Sequence, residues 1–379
     1  VNPDEISKLY QEAKTSTEFY KANLPNVEPE TFMNTFQDLN LEVSKKQIQF
    51  HPEEFINTMK VRRAHIFSPS SSIFQSIKKS YSQSLIINMS TAGSTGEPLS
   101  FYMDKSRAVK YMFGFFAVAK YIGWTVGERF MPCMQGGLYQ HSNVISKILP
   151  FLGATGFFYK ALDVKTAQKF ADDYNKVQPS IIFSTPSFLS EILLYIKQND
   201  FEINNKFLKG VMVSGETLSE SQRRFIEIQL GKPVYDVYAC NELGILGVEC
   251  HQHNGFHILE DRVFLESNKK NEIVATALES YCQPFIKYKL HDLGDIVDEP
   301  CACGVRGKKI KNLQGRAEDY VIMKNGQKIH ASFLRQLIVD LNKRYGNSIL
   351  NGRFVQKSDL KIEFMLQLLK NDYAENILV

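Results

Sequence analysis

Several groups of residues in this chain have types and spacings that could do chemistry. The first is Thr91-Ala92-Gly93-Ser94-Thr95-Gly96-Glu97-Pro98. Hydroxyls from Thr91, Ser94 and Thr95 and the bare backbone at Gly93 and Gly96 can close around phosphate oxygens. No Gly-Lys-Ser/Thr follows, so this is not the phosphate loop of the common nucleotide triphosphatases. A surface linker would have the same composition. The second group is Tyr235-Asp236-Val237-Tyr238-Ala239-Cys240-Asn241-Glu242. An aromatic face there could stack on a purine, and the carboxylate four residues on could hold Mg²⁺ near a phosphate. A core tyrosine and a solvated glutamate would read the same way. The third is Tyr288-Lys289-Leu290-His291-Asp292-Leu293-Gly294-Asp295, where a carboxylate could accept hydrogen bonds from ribose hydroxyls, or form an ordinary charged turn.

The fourth group is Cys250, His257, Cys301 and Cys303. Three thiols and one imidazole satisfy tetrahedral Zn²⁺ with no open position, which makes a structural site and not a catalytic one. His251 and His253 compete for the imidazole role, and free thiols with scattered histidines are the plain alternative. Two further turns are less specific. Ser214-Gly215-Glu216 is a generic strand exit. Gln135-Gly136-Gly137-Leu138-Tyr139 follows the apolar Phe130–Met134. Its glycines could admit a flat ring, and an ordinary turn explains them equally well. His141 is a poor base for a carboxylate that is already ionised at neutral pH.

These groups need elements to position them. Residues 1–85 show helical spacing, with Ser68–Ser72 as a loop. Leu85–Met89 has strand length and leads into the Thr91 loop. Asp104 can cap a helix over roughly 105–121. Between 180 and 238 a strand–helix rhythm appears: strands at 180–183, 208–213 and 234–238, and helices at 186–198 and 219–230, the latter stopped by Gly231 and Pro233. Such alternation predicts crossover units and a largely parallel sheet, with ligands beyond the carboxyl ends of the strands. From Val263 the pattern is all strand: 263–266, 272–276, 284–290 and 295–298. Asn325-Gly326 marks a tight hairpin between 320–323 and 328–329. A helix over 332–343 and a strand near 360–364 follow. The expected fold is α/β. A large domain, 1–314, holds mixed, mostly parallel sheets and a strand-rich segment, and a small α+β domain covers 315–379.

The order of the motifs adds a resemblance. A Ser/Thr/Gly loop ending Gly-Glu-Pro is followed by Ser-Gly-Glu, then Tyr-Asp-x-Tyr-x-x-x-Glu. An aromatic-basic-x-x-Asp and Gly315-Arg316-Ala317-Glu318-Asp319 complete the series. Together they resemble the adenylate-forming ligase superfamily, in its phenylacetate–CoA ligase and capsular-polysaccharide (CapK-like) branch, over roughly 85–329. The resemblance implies ATP-dependent activation of a carboxylic acid, aryl or arylacetic, to an acyl-adenylate, with transfer to coenzyme A. It implies that Thr91, Ser94, Thr95 and Gly96 grip the β- and γ-phosphates. Gly215, Glu216, Asp236, Tyr238 and Asn241 would surround the nucleotide, Asp292 would hold the ribose, and Arg316 would reach ribose and phosphate. Glu242 would hold Mg²⁺; with Thr95 and Arg316 it would carry catalysis. Gln135, Gly136, Gly137 and Tyr139 would line the acid, and Glu318 would be the hinge of the small domain. Zinc-bearing members of the branch favour Zn²⁺ at Cys250, His257, Cys301 and Cys303. Asn241 stands where the family usually has Thr. The stretch after Glu318 is short for a small domain that usually carries a late lysine, so that domain is expected to be incomplete.

Composition bounds the rest. The chain has 379 residues, 44% hydrophobic and 23% charged, which excludes disordered, collagenous and coiled-coil classes. A net charge of +4 is too balanced for nucleic acid to be the main partner. No apolar run has the length of a membrane helix. The N-terminus lacks the pattern of a secretory leader, and six cysteines in this length point to a reducing cytoplasm. A homodimer is the family's usual state. The rival readings are transfer of the acyl group to an amine, a sugar or a carrier-protein thiol, and a non-catalytic nucleotide-binding, zinc-stabilised protein.

Overall fold

The computed structural model describes residues 2–57, 60, 65–67, 85–90, 99–135, 153, 155–278, 280–316, 320–344, 348–358 and 361–368. The chain divides into two compact units. One comprises Val1–Val118, His141–Ile145 and Tyr238–Leu313. The other comprises Ala119–Gln140, Ser146–Val237 and Gln314–Val379.

The first unit is a helical layer on a strand-rich sheet. The helix Pro3–Ser16 begins with Asn2, whose side chain accepts from the Asp4 amide at 3.0 Å, and has Pro3 at its first position. Asp4 and Glu5 lie in its first turn, where carboxylates favour the positive end of the helix. Its stripe of Ile6, Leu9, Tyr10 and Ala13 is fully buried and joins a core with Phe36, Phe264, Ile273, Phe285 and Tyr288. The helices Glu18–Asn23, Phe32–Asp38 and Lys45–Phe50 complete the layer. Val43 exchanges backbone bonds with Lys287 and Lys289, both at 2.8 Å, which ties the layer to the sheet.

The sheet strands in this unit run Val263–Ser267, Glu272–Ala277, Tyr288–Val297, Lys309–Arg316 (of which 309–313 belong here), Phe256–Ile258 and Gly244–Glu249. Val263–Ser267 with Glu272–Ala277, Glu272–Ala277 with Tyr288–Val297, and Phe256–Ile258 with both Lys309–Arg316 and Gly244–Glu249 pair antiparallel. Asn271, with φ of 61°, closes the turn between the first two; asparagine tolerates that left-handed conformation. Two strands were expected over 284–290 and 295–298, and a single one, Tyr288–Val297, is found. It carries a bulge: pairing passes from Val274↔Lys289 to Glu272↔Leu293, so four residues oppose two, and His291 adopts φ of 61°. Three shorter strands form a separate sheet, with His65–Phe67 parallel to Leu85–Ser90 and Ser100–Asp104 antiparallel to it. Asp104 ends the last of these, and its carboxylate accepts from the amides of Tyr281 and Cys282 at 2.7 and 2.8 Å. The helix expected to run to 121 is α-helical over Lys105–Ala119 and tightens into a 3₁₀ turn at Lys120–Ile122.

The second unit has the expected parallel sheet, in the order Val234–Cys240, Gly210–Ser214, Ile181–Ser184, Phe130–Gln135, Phe157–Tyr159. The helices Val164–Val177, Pro186–Gln198 and Glu220–Leu230 are its crossovers. Ser219 and Gln222 form a capping box, and Gly231 ends that helix in the left-handed region. Beyond residue 319, Tyr320–Ile322 and Lys328–His330 form the Asn325-Gly326 hairpin. The helix Ala331–Arg344 follows. In place of one strand near 360–364 there is a long hairpin, Ile349–Ser358 with Lys361–Leu368. Among the described residues, no helix is long and apolar enough to cross a membrane.

One buried hydroxyl fastens the helical layer to the sheet. Tyr20 Oη accepts from the Ile286 amide at 3.0 Å and lies 3.3 Å from the carbonyls of Pro284 and Ile286. Tyr20→Phe leaves that amide without its acceptor and is expected to cost about 1–3 kcal/mol in urea unfolding. Tyr10→Phe, whose hydroxyl donates to the Pro25 carbonyl at 2.8 Å and accepts from no amide among the described residues, should cost less.

Candidate functional site

In the first unit the second and third motifs meet. Tyr238 Oη donates to Asp292 Oδ2 at 2.6 Å, and Tyr288 Oη donates to Glu242 Oε1 at 3.1 Å. Glu242 is 8% exposed and lies in the turn between Val234–Cys240 and Gly244–Glu249. Gly244 closes that turn with φ of 79°, and a Cβ there would sit 2.9 Å from the Tyr111 ring. Asp292 lies within the bulge, a device that re-aims a side chain which a regular ladder would not present this way. Asn241 is exposed.

A residue not anticipated from sequence holds this turn. Arg107 is buried, and its guanidinium donates to the Glu242 carbonyl and to Ser280 Oγ. It also lies over the Phe285 ring, 5.3 Å from the centroid. Burial pushes its pKa down, opposed by the nearby Cys282, Cys240 and Asp104. A lone arginine inside an amphipathic helix gives no signal in one sequence. Cys240, beside it, is pushed well above the ordinary thiol range by burial and by Glu242, which favours the neutral thiol.

In the second unit Gly215 follows Ser214 with φ of 88°; a Cβ would meet nothing closer than 3.8 Å, so conformation and not space selects glycine. Ser214 Oγ donates to the Val237 carbonyl at 2.6 Å. Glu216 Oε2 accepts from the Ser187 amide at 3.1 Å, at the start of Pro186–Gln198. Asp236 is half-buried, Gln135 is exposed at the end of its strand, and Arg316 is exposed. Thr91, Ser94, Thr95, Gly96, Gly136, Gly137, Tyr139 and Glu318 lie outside the described residues.

The thiol and imidazole donors of Cys250, His257, Cys301 and Cys303 all lie within 4.8 Å of one another. Cys250 directly follows Gly244–Glu249, and His257 stands on the antiparallel neighbour Phe256–Ile258. Cys301 and Cys303 come from one turn, closed by Gly304 N–H to the Cys301 carbonyl at 3.0 Å. The separation Cys250 Sγ–Cys301 Sγ is 3.7 Å, and Cys303 Sγ–His257 Nε2 is 3.3 Å. Tetrahedral zinc with metal–sulfur bonds of about 2.3 Å needs sulfur–sulfur edges of about 3.8 Å. The donor set fits. His253 is drawn off to Glu249 at 3.2 Å and His251 is exposed, so the imidazole gathered with the three thiols is that of His257. Burial and the nearby Lys309 lower the His257 pKa, favouring its neutral, ligating form. Burial pushes the Cys250 thiol up to about 11, while Cys301 is held below its ordinary value, chiefly by the Cys303 amide.

No family model matches the chain. Over 161 residues, 39% of the chain, it is 24% identical to a phenylacetate-coenzyme A ligase of Thermus thermophilus, spanning 36% of that protein. Over 167 residues it is 23% identical to an indoleacetate–lysine synthetase of Pseudomonas savastanoi, spanning 40% of that protein. The chain thus matches about two fifths or less of the length of these curated relatives. In fold, it superposes on 2-hydroxyisobutyryl-CoA ligase in the postadenylation state with 2-HIB-AMP at a TM-score of 0.71, covering 96% of this chain and 76% of that one at 16% identity. An open conformation of the same ligase with 2-HIB-AMP and CoA gives 0.66. The mixed α/β fold is that of adenylate-forming CoA ligases, which bears out the resemblance drawn from the motifs.

Arg107 generates a prediction here. Arg107→Met takes this donor from the Glu242 carbonyl and from Ser280 Oγ, which still donates to the Gln283 carbonyl at 2.6 Å, and should cost about 2–3 kcal/mol in urea unfolding. Arg107→Lys, which keeps the charge but not the fork, should recover part of that loss.

Proposed function

We propose that the chain is an ATP-dependent carboxylic acid ligase that forms an acyl-adenylate and passes the acyl group to coenzyme A. The observation that carries this is the 2.6 Å hydrogen bond between Tyr238 and Asp292, which joins two of the ordered motifs in one place. In the first half-reaction a carboxylate oxygen attacks the α-phosphorus of ATP, the bond to the β-phosphate oxygen breaks, and pyrophosphate leaves. Asp292 accepts from ribose hydroxyls, and the Tyr238 ring flanks the base, with Gly215, Glu216, Asp236 and Asn241 around the nucleotide. The loop of Thr91, Ser94, Thr95 and Gly96 and the guanidinium of Arg316 orient the phosphates. Little proton transfer is needed, so catalysis is mainly positioning and charge stabilisation. Glu242 would hold Mg²⁺, which supplies charge neutralisation on the phosphates; a buried carboxylate with one oxygen on Tyr288 suits a hard cation. In the second half-reaction a thiolate attacks the acyl carbon and AMP leaves. Residues 315–379 act as the small domain, turning about Glu318, and Gln135, Gly136, Gly137 and Tyr139 line an aryl or arylacetic acid. Six free cysteines among the described residues support a cytoplasmic setting.

A second acceptor has specific support. The similarity to an indoleacetate–lysine synthetase, 23% over 167 residues, is close to that to the CoA ligase, 24% over 161, which supports an amine acceptor for the same adenylate. ATP–pyrophosphate exchange over a panel of aryl and aliphatic acids tests the shared first step. Product analysis with coenzyme A or with amines then separates the acceptors. Glu242→Gln should lower exchange about 100-fold while the chain stays folded. Silence of the parent chain across the panel would sink the reading.

Cys250, His257, Cys301 and Cys303 would hold a structural Zn²⁺ that clips the Cys301–Cys303 turn to the paired strands. Cys303→Ser should purify with almost no zinc by elemental analysis and unfold at lower temperature. Normal zinc content in that variant would refute this ligand set.

A further inference from the structure

Among the described residues, three cations of the first unit are buried, and two have evident partners. Lys287 pairs with Glu266 at 2.5 Å and reaches the Gln37 carbonyl at 3.3 Å. Arg107 has the Glu242 carbonyl and Ser280. Lys309 is 0% exposed, and its Nζ has no hydrogen-bond partner among the described residues. An ammonium taken out of water without a partner is costly, so negative charge should compensate it nearby. Glu299 is 52% exposed and pairs with Lys311, and Glu249 pairs with His253. The register supplies another answer. Lys309 stands directly opposite His257 in the antiparallel pairing. Directly opposed residues project from the same face, with Cβ atoms about 4.5–5.5 Å apart. Lys309 therefore stands beside the imidazole whose Nε2 meets Cys303 Sγ.

Zn²⁺ held by three thiolates and a neutral imidazole carries a net charge of about −1, buried among strands. We propose that Lys309 is the counter-charge of this centre: its ammonium neutralises the excess of the three thiolates and so sets how tightly the metal is held. The role rests on the zinc reading above. It is electrostatic positioning beyond the ligands, and it separates from packing by sign. Without metal, Lys309 is a buried charge whose Nζ has no hydrogen-bond partner among the described residues, and removing it should not weaken the fold. With metal, removing it uncovers the negative charge of the site.

The test uses the full chain, Lys309→Met, Lys309→Gln and Lys309→Arg, stripped of metal under reducing conditions and titrated with Co²⁺. The thiolate-to-cobalt absorption gives affinity and coordination together. Both neutral variants should keep the parent spectrum while binding about tenfold or more weakly, with faster zinc loss to a chelator; Lys309→Arg should stay within about threefold. The thermal midpoint of the metal-free neutral variants should be unchanged or higher. Parent-like affinity in the neutral variants overturns the proposal, and so does a matched loss of affinity and metal-free stability, which marks packing alone. Failure of the parent chain to develop thiolate–cobalt bands overturns the metal reading and this role together.

Discussion

Two side-chain hydrogen bonds lace residues 238–242 to residues 288–292, and the arrangement of the first unit's polar interior depends on them. Tyr238 reaches Asp292, and Tyr288 reaches Glu242. The bonds lie four residues apart on both segments, so the segments run antiparallel with a tyrosine and a carboxylate exchanged between them. A phenol donor to a carboxylate is a charge-assisted bond, stronger than a neutral pair. Each bond also fixes a tyrosine ring, and the bulge in Tyr288–Val297 lets Asp292 take part. A strand without that irregularity would carry the same residues in a different register. The turn at Glu242 is thus held from two sides, by Tyr288 on its carboxylate and by Arg107 on its carbonyl.

This lacing explains which parts of the site could be read from the sequence. The motifs around Tyr238, Glu242 and Asp292 were visible because aromatic and acidic residues there follow apolar strand runs, and the parallel sheet was visible because its strands and helices alternate. The cluster of Cys250, His257, Cys301 and Cys303 was visible because cysteine and histidine are rare enough for their spacing to carry information. Arg107 and Lys309 were not. Each is one basic residue in a segment whose periodicity looks amphipathic, and single-sequence patterns assign such residues to solvent. Only the fold reveals that both are buried.

The strands that went unread share a physical cause. Gly244–Glu249 has the sequence Gly-Ile-Leu-Gly-Val-Glu, and glycines normally argue against a strand interior. Here Gly247 lies where a Cβ would come within 3.1 Å of the His257 carbonyl and Phe256, so the glycine permits the close pairing beside Cys250 and His257. Lys309–Arg316 alternates lysine, asparagine and glutamine with isoleucine and leucine, a texture that reads as a polar loop. Tertiary pairing with Phe256–Ile258 overrides local propensity in both. The bulge at residues 290–292 escaped for a related reason. A register irregularity is a relation between two strands, and neither sequence contains it alone.

The three buried cations show how one unit accommodates charge in different ways. Lys287 has a carboxylate, a carbonyl and the Phe36 ring, 4.8 Å from its ammonium, so its environment is nearly complete within the polypeptide. Arg107 is answered by neutral acceptors and an aromatic face, which suits a delocalised, weakly hydrated guanidinium better than it would an ammonium. Lys309 has the compact, strongly hydrated head group and the fewest partners. A lysine is the costliest of the two basic types to bury without hydrogen bonds, because its charge is concentrated on one nitrogen. Its position opposite His257 places that concentrated charge where three thiolates would concentrate the opposite one. The polypeptide and its metal would then share one electrostatic balance, in which neither the bare donor cluster nor the bare ammonium is the resting arrangement.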